Sequence, residues 1–181
     1  MRRLASMCFA LCVTVVVLNA QRAQAPAPDS PIMVIETAKG TIEIELFHKE
    51  APKSVGRVME LVRRNFYRSQ RFHRVVASMV NFGDVNSRDM LKEKVWGMAD
   101  TANPIGVSEI STRKHVRGIV GLGHSGDPKL ADSQMYIMKL ASPSIDGKYT
   151  IIGRVVAGMA VVDKLAYADL LTNVTLKVPA K

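Results

Sequence analysis

Ile42, Ile44 and Leu46 alternate with Glu43 and Glu45. A two-residue apolar period buries one face of a strand and cannot form the stripe of a helix. Such short alternating pieces, each bounded by turn residues, recur along the chain and constrain its fold more than any other feature. Met33 to Thr37 and Thr41 to Leu46, joined by Ala38-Lys39-Gly40, make a half-buried hairpin. Gln70 to Val76 alternates, Ala77-Ser78 turns, and Met79 to Asp84 runs back as a second hairpin. Ile119 to Gly123 and Ser133 to Met138 read as strands around a loop, His124 to Asp132, that contains Gly126-Asp127-Pro128. Asp146-Gly147 is a tight-turn signal before a strand from Tyr149 to Val156, and Val174 to Val178 is a closing strand.

Helical spacing occurs twice. Pro52 opens a helix whose buried face is Val55, Val58, Met59, Val62 and Phe66, and Met159, Val162 and Leu165 mark a shorter one. Asn86 to Arg117, with Trp96 and the turn-like Ala102-Asn103-Pro104, reads as long loops with little regular structure. Many short strands, two helices and no regular strand-helix alternation predict a closed antiparallel β-barrel rather than a parallel sheet.

Met1-Arg2-Arg3 followed by the uncharged run Leu4 to Leu18 has the layout of an export signal, with cleavage expected after Ala20. The run is short for a bilayer span of about 20 residues, so any membrane link is expected only through this segment if it stays uncleaved. Residues 1–20 are thus read as the signal, 21–31 as an alanine- and proline-rich linker, and 32–181 as one domain. Both cysteines, Cys8 and Cys12, fall in the signal, which leaves the domain without thiol chemistry. A net charge of +9 raises nucleic acid as a partner. Arg63, Arg64, Arg57, Lys53, Arg68 and Arg71 are spread around the first helix and its loop rather than blocked together, and stacking aromatics are few, so that partner is not expected. His48, His73, His115 and His124 show no metal-ligand spacing, and Ser125 lacks the Gly-x-Ser-x-Gly elbow of a nucleophile.

The second hairpin carries the sharpest chemical signal. It sets a guanidinium, Arg74, beside an apolar side chain, Met79, and an amide, Asn81, with no acid close in sequence. Phe72-His73-Arg74-Val75-Val76, Met79 and Gly83-Asp84 resemble the signature of cyclophilin-type peptidyl-prolyl cis-trans isomerases. Ser133-Gln134-Met135-Tyr136-Ile137, Asp146-Gly147-Lys148 and Gly153-Arg154-Val155-Val156-Ala157-Gly158-Met159 follow in the family's order, so the resemblance spans nearly all of residues 32 to 178.

The resemblance implies an eight-stranded barrel capped by two helices and a monomer that binds proline-containing polypeptides without metal or cofactor. It implies that Arg74 is catalytic, that Met79, Tyr136 and Ile145 grip the proline ring, and that Asn81, Gln134 and the backbone of Gly123 and His124 anchor the peptide. Tyr149 matches a position where many bacterial members also have tyrosine. With the export signal, the expected location is periplasmic or secreted. The departures are specific: Ala77-Ser78 stands where the family has Pro-Gly-Phe, Asn81 replaces a glutamine, Phe82 a glycine, Gly123 an alanine and Ser144 a tryptophan. They imply an isomerase with a reduced pocket. The rival reading is a cyclophilin fold kept as a peptide-binding or chaperone module without catalysis.

Overall fold

The computed structural model describes residues 26–27 and 29–177, so the segment expected to be an export signal and both cysteines lie outside the described residues. Eight strands are present: β1 (Ile32–Thr37), β2 (Gly40–Leu46), β3 (Arg74–Val75), β4 (Met79–Phe82), β5 (Ile119–Leu122), β6 (Met135–Met138), β7 (Ile151–Ala157) and β8 (Asn173–Lys177). They form one antiparallel sheet in the order β3-β4-β6-β5-β7-β2-β1-β8. Two helices accompany it, α1 (Pro52–Arg63) over β8 and α2 (Met159–Lys164) over β2.

The hydrophobic alternation sets the register. Met33 pairs with Ile44 and Ile35 with Ile42, and all four are fully buried. A slip by one residue would turn this set to solvent. The ladder shifts register at Glu43/Ile44 against β7 and at Val120/Gly121 against β7, and such bulges bend a sheet into a curl.

The curled sheet does not close as a strand-to-strand barrel. Its ladder ends at β3 and β8, which do not pair with each other. Closure is made instead by the irregular segments ahead of these strands. Ser69 donates to Leu171 and Phe72 to Asp169, while Leu171 donates back to Gln70 and Ala168 to Phe72, at 2.8–3.0 Å. The expected long strand from Gln70 is thereby reduced to Arg74–Val75, because its first residues are bonded across this seam rather than to β4.

Three further expectations change. Glu45 is buried rather than solvent-facing: its carboxylate takes the Ala27 N–H at 2.8 Å and the Arg154 Nε–H at 2.7 Å. Burial alone would raise that carboxyl, but these donors outweigh it and hold it below the usual range. Ala27 thus touches the sheet, and Pro31 is buried with its carbonyl accepting from Leu46 at 2.9 Å, so contacts with the sheet begin ahead of β1. Leu61 joins the buried face of α1, whereas Phe66 lies past the helix end, beyond Asn65 with its φ of 56°. In the long loop, 3-10 turns occupy Val85–Arg88 and Met90–Val95.

Candidate active site

A cleft of about 550 Å³ opens above β4, β5 and β6 and is walled by the loops that follow β4, β5 and β6. All nine expected site residues, Arg74, Met79, Asn81, Gly123, His124, Gln134, Tyr136, Ile145 and Tyr149, line it. The shortened turn explains how β4 keeps its facing. Val76 N–H donates to Met79 C=O at 3.0 Å around Ala77-Ser78, and Val75 pairs with Val80, so the missing residue is absorbed in the turn. Met79 and Asn81, two apart on one strand, therefore both face the cleft while Val80 and Phe82 go to the core.

Arg74 sits opposite Asn81 in the β3–β4 register and is exposed. Its Nη1 lies 3.6 Å from Met79 Sδ, and among the described residues it forms no ion pair. The two residues before it leave the cleft, His73 as strand alternation expects and Phe72 because the chain there is not yet strand. Phe72 is fully buried against Phe82 with ring centroids 5.5 Å apart. His73 is buried and does not line the cleft. Burial lowers the His73 pKa; the Asp84 carboxylate opposes this shift and Arg74 adds to it.

The apolar side of the cleft is a satellite of the main core. Phe47, Ile119, Tyr136, Met138 and Ile151 form a separate buried cluster, and Met79, Ile145 and Tyr149 pack on it half-buried. Tyr149 precedes β7 instead of opening it, and its ring meets Tyr136 edge-on at 5.9 Å and 89°. His124 lies across Tyr149 at 4.3 Å, with Nε2 3.1 Å from Lys148 C=O.

The polar side has fewer free groups than the residue types suggest. Gln134 Nε2 donates to Gly97 and Ala99 carbonyls at 3.2 and 3.0 Å, and Gly123 N–H is already bonded to Gln134 C=O at 2.8 Å. What Gln134 can offer a peptide is its amide oxygen. Asn81 Oδ1 is buried without a partner. Lengthening this side chain by one methylene carries the amide farther into the cleft. Asn81→Gln is expected to raise kcat/KM on an X-Pro peptide by about tenfold, equivalent to about 1.4 kcal/mol. Unchanged or lower activity in a protease-coupled assay would show that asparagine is the fitted side chain.

Gly97, Met98, Asp100, Ser125, Leu130 and Asp132 also line the cleft and were not expected from sequence. The first three stand on an irregular loop pinned at several points, the others on the β5–β6 connection. Asp84 accepts from Ala99 N–H at 3.0 Å, Asp132 from Thr101 N–H at 2.8 Å, and Gln134 holds the carbonyls named above. Gly83 lets the end of β4 lie close against the residues before β6: a Cβ there would sit 2.2 Å from Ser133 C=O. Also missed is a buried relay beneath the cleft, in which His115 lies between Tyr136 and Asp146.

Residues 32–179 match the model of the cyclophilin type peptidyl-prolyl cis-trans isomerase family. A probable peptidyl-prolyl cis-trans isomerase of Brucella suis is 34% identical over 165 residues, covering 89% of this chain and 84% of that protein. A peptidyl-prolyl cis-trans isomerase of Helicobacter pylori is 30% identical over 149 residues, covering 77% and 83%. Among solved structures, the fold is similar to cyclophilin AquaCyp293 from Hirschia baltica, with TM-score 0.69 and 20% identity over 84% of this chain and 75% of that one. It is also similar to a Cryptosporidium parvum cyclophilin type isomerase crystallised in the presence of the dipeptide Ala-Pro, with TM-score 0.70 and 20% identity over 81% and 98%. The chain belongs to the cyclophilin family and is a peptidyl-prolyl cis-trans isomerase.

Proposed function

We propose that the enzyme isomerises X-Pro bonds of exported polypeptides, as a monomer, in a cleft where Arg74 is the catalytic group. The observation that carries this reading is the exposed Arg74 guanidinium, without an ion pair among the described residues, beside the half-buried Met79, Ile145 and Tyr149. An X-Pro bond resists rotation with a barrier of about 18 to 20 kcal/mol because resonance makes it partly double. No nucleophile is needed to lower it. As the bond twists, the prolyl nitrogen loses conjugation and gains a lone pair, so a donor aimed at it binds more strongly in the transition state than in the ground state.

In this assignment Met79, Tyr136 and Ile145 hold the proline ring, and burial of that ring keeps the guanidinium's target out of water. The Arg74 fork serves the prolyl nitrogen and the proline carbonyl together. Asn81 and the Gln134 amide oxygen meet the peptide's polar groups, with the backbone of Gly123 and His124 beside them. The pocket is reduced relative to the family pattern, since neither a phenylalanine before Met79 nor a tryptophan at Ser144 is present. The test is NMR exchange on a short Ala-Pro peptide with separate measurement of binding. Catalysed cis-trans exchange is expected; binding without exchange would favour the peptide-holding module instead.

The export half of the proposal is supported by the apolar run behind Arg2-Arg3 and by the cysteine-free domain. N-terminal sequencing of the protein from intact cells should find a start after Ala20 in the exported fraction. A cytoplasmic protein beginning at Met1 would sink it.

A further inference from the structure

His115 lies under the cleft rather than in it, with its side chain wholly buried. Its Nδ1 is 3.0 Å from Asp146 Oδ1, which also accepts the His115 backbone N–H at 2.7 Å. The ring's other nitrogen, Nε2, is 2.8 Å from the Tyr136 hydroxyl. A carboxylate can only accept, so Nδ1 carries a hydrogen; in the neutral imidazole Nε2 then presents its lone pair and the Tyr136 O–H donates to it. Both ends suit these roles: the His115 N–H and ring hold the Asp146 carboxyl below its usual range, and burial pushes the Tyr136 hydroxyl above its own.

The hydroxyl has one berth. It lies over Gly121 on β5, where a Cβ would stand only 2.2 Å from it. Between Gly121 and His115, the polar tip of Tyr136 is kept below the cleft and its ring alone faces upward. Asp146 directly follows Ile145 and shortly precedes Tyr149, so the relay also ties that rim segment to the floor strand β6.

We propose that His115, backed by Asp146, is a positioning residue for the isomerase, fixing the depth of the Tyr136 ring and with it the floor of the proline pocket. This rests on the cleft being the proline site. Without its acceptor, the Tyr136 hydroxyl would be buried and unpaired, and the ring can relieve that only by moving up toward water, into the space the proline ring needs. Deleting the hydroxyl as well removes the cause of the movement. A group that merely supports the fold would matter equally with or without that hydroxyl.

The test is a double-mutant cycle of His115→Leu and Tyr136→Phe, read as kcat, KM and peptide Kd on one X-Pro peptide, with thermal melting of each variant. In the natural background His115→Leu is expected to raise KM and Kd about tenfold, with a smaller fall in kcat. In the Tyr136→Phe background, whatever its own rate, the same change is expected to shift them by less than about twofold. Asp146→Ala frees the His115 ring from its backing and should raise KM and Kd in the same direction, again only where the Tyr136 hydroxyl is present, which keeps the proposal open to test if His115→Leu does not fold. Equal losses in both backgrounds, or an unchanged KM and Kd in the natural one, overturn it. Because Kd is read separately from turnover, a protein that binds peptide without isomerising it fails the catalytic reading while leaving this one decided by the cycle.

Discussion

Arg74→Ala is expected to lower kcat/KM by about two to three decades, the range found when a preorganised donor of about 2.7 to 4 kcal/mol is removed from an active site. Stability should change little, within about 0.5 kcal/mol, because the side chain is exposed and its contact with the Met79 sulfur, at 3.6 Å, is weak. That separation between rate and stability is the mark of a group held for the transition state. Arg74→Lys should not restore the rate: an ammonium keeps the charge but is a point donor, whereas the planar fork reaches two acceptors at once. Steady-state kinetics with denaturant melts on the same samples check both halves. An Arg74→Ala protein with unchanged kcat/KM and an intact fold would place the catalytic group elsewhere.

Asp132→Ala is expected to lower stability by about 3 to 5 kcal/mol, measured as a shift in urea midpoint at constant slope. The Asp132 side chain is 1% exposed and faces an Arg57 side chain that is 10% exposed, with Nε to Oδ1 at 3.0 Å. It also accepts from the Thr101 N–H at 2.8 Å, the Thr101 hydroxyl and the Asn103 N–H at 3.3 Å. Its removal takes the buried carboxylate from Arg57 and the acceptor from several part-buried donors at once. Glu60, the remaining carboxylate on Arg57, is half exposed and compensates weakly. Since Asp132 also lines the cleft, a loss of peptide affinity should accompany the loss of stability. A shift below about 1 kcal/mol would mean that the loop at Thr101 to Asn103 is held by other contacts.

Strand positions, both helices and the hairpin under Arg74 were legible because they depend on local periodicity. The nine cleft residues were legible through motif order, and the alternation within β4 then placed Met79 and Asn81 on one face. What escaped depends on partners distant in sequence. Glu45 reads as the polar member of an alternating pair, and only Arg154 and Ala27 together turn it into a buried charge. Asp146 reads as half of a tight turn, and nothing nearby indicates that its carboxylate orients a histidine thirty-one positions earlier. The loop from Gly97 to Asn103 has no periodicity to read. Its shape is imposed by side chains of Asp84, Asp132 and Gln134, which reach it across separate strands and turns.

The seam that replaces a final ladder has a consequence for a protein that handles extended chains. Any sheet with free ends offers its unpaired backbone as a template, and an unfolded client is the polypeptide most ready to add itself as a further strand. Here one end is only Arg74–Val75, too short to hold a recruited strand, and its lead-in is already bonded to residues 168–171. The other end, β8, is five residues long and finishes on Lys177, which reaches back to pair with Glu43 at 2.6 Å. At the β3 end the sheet therefore offers an extended chain almost no unpaired backbone on which to add a further strand.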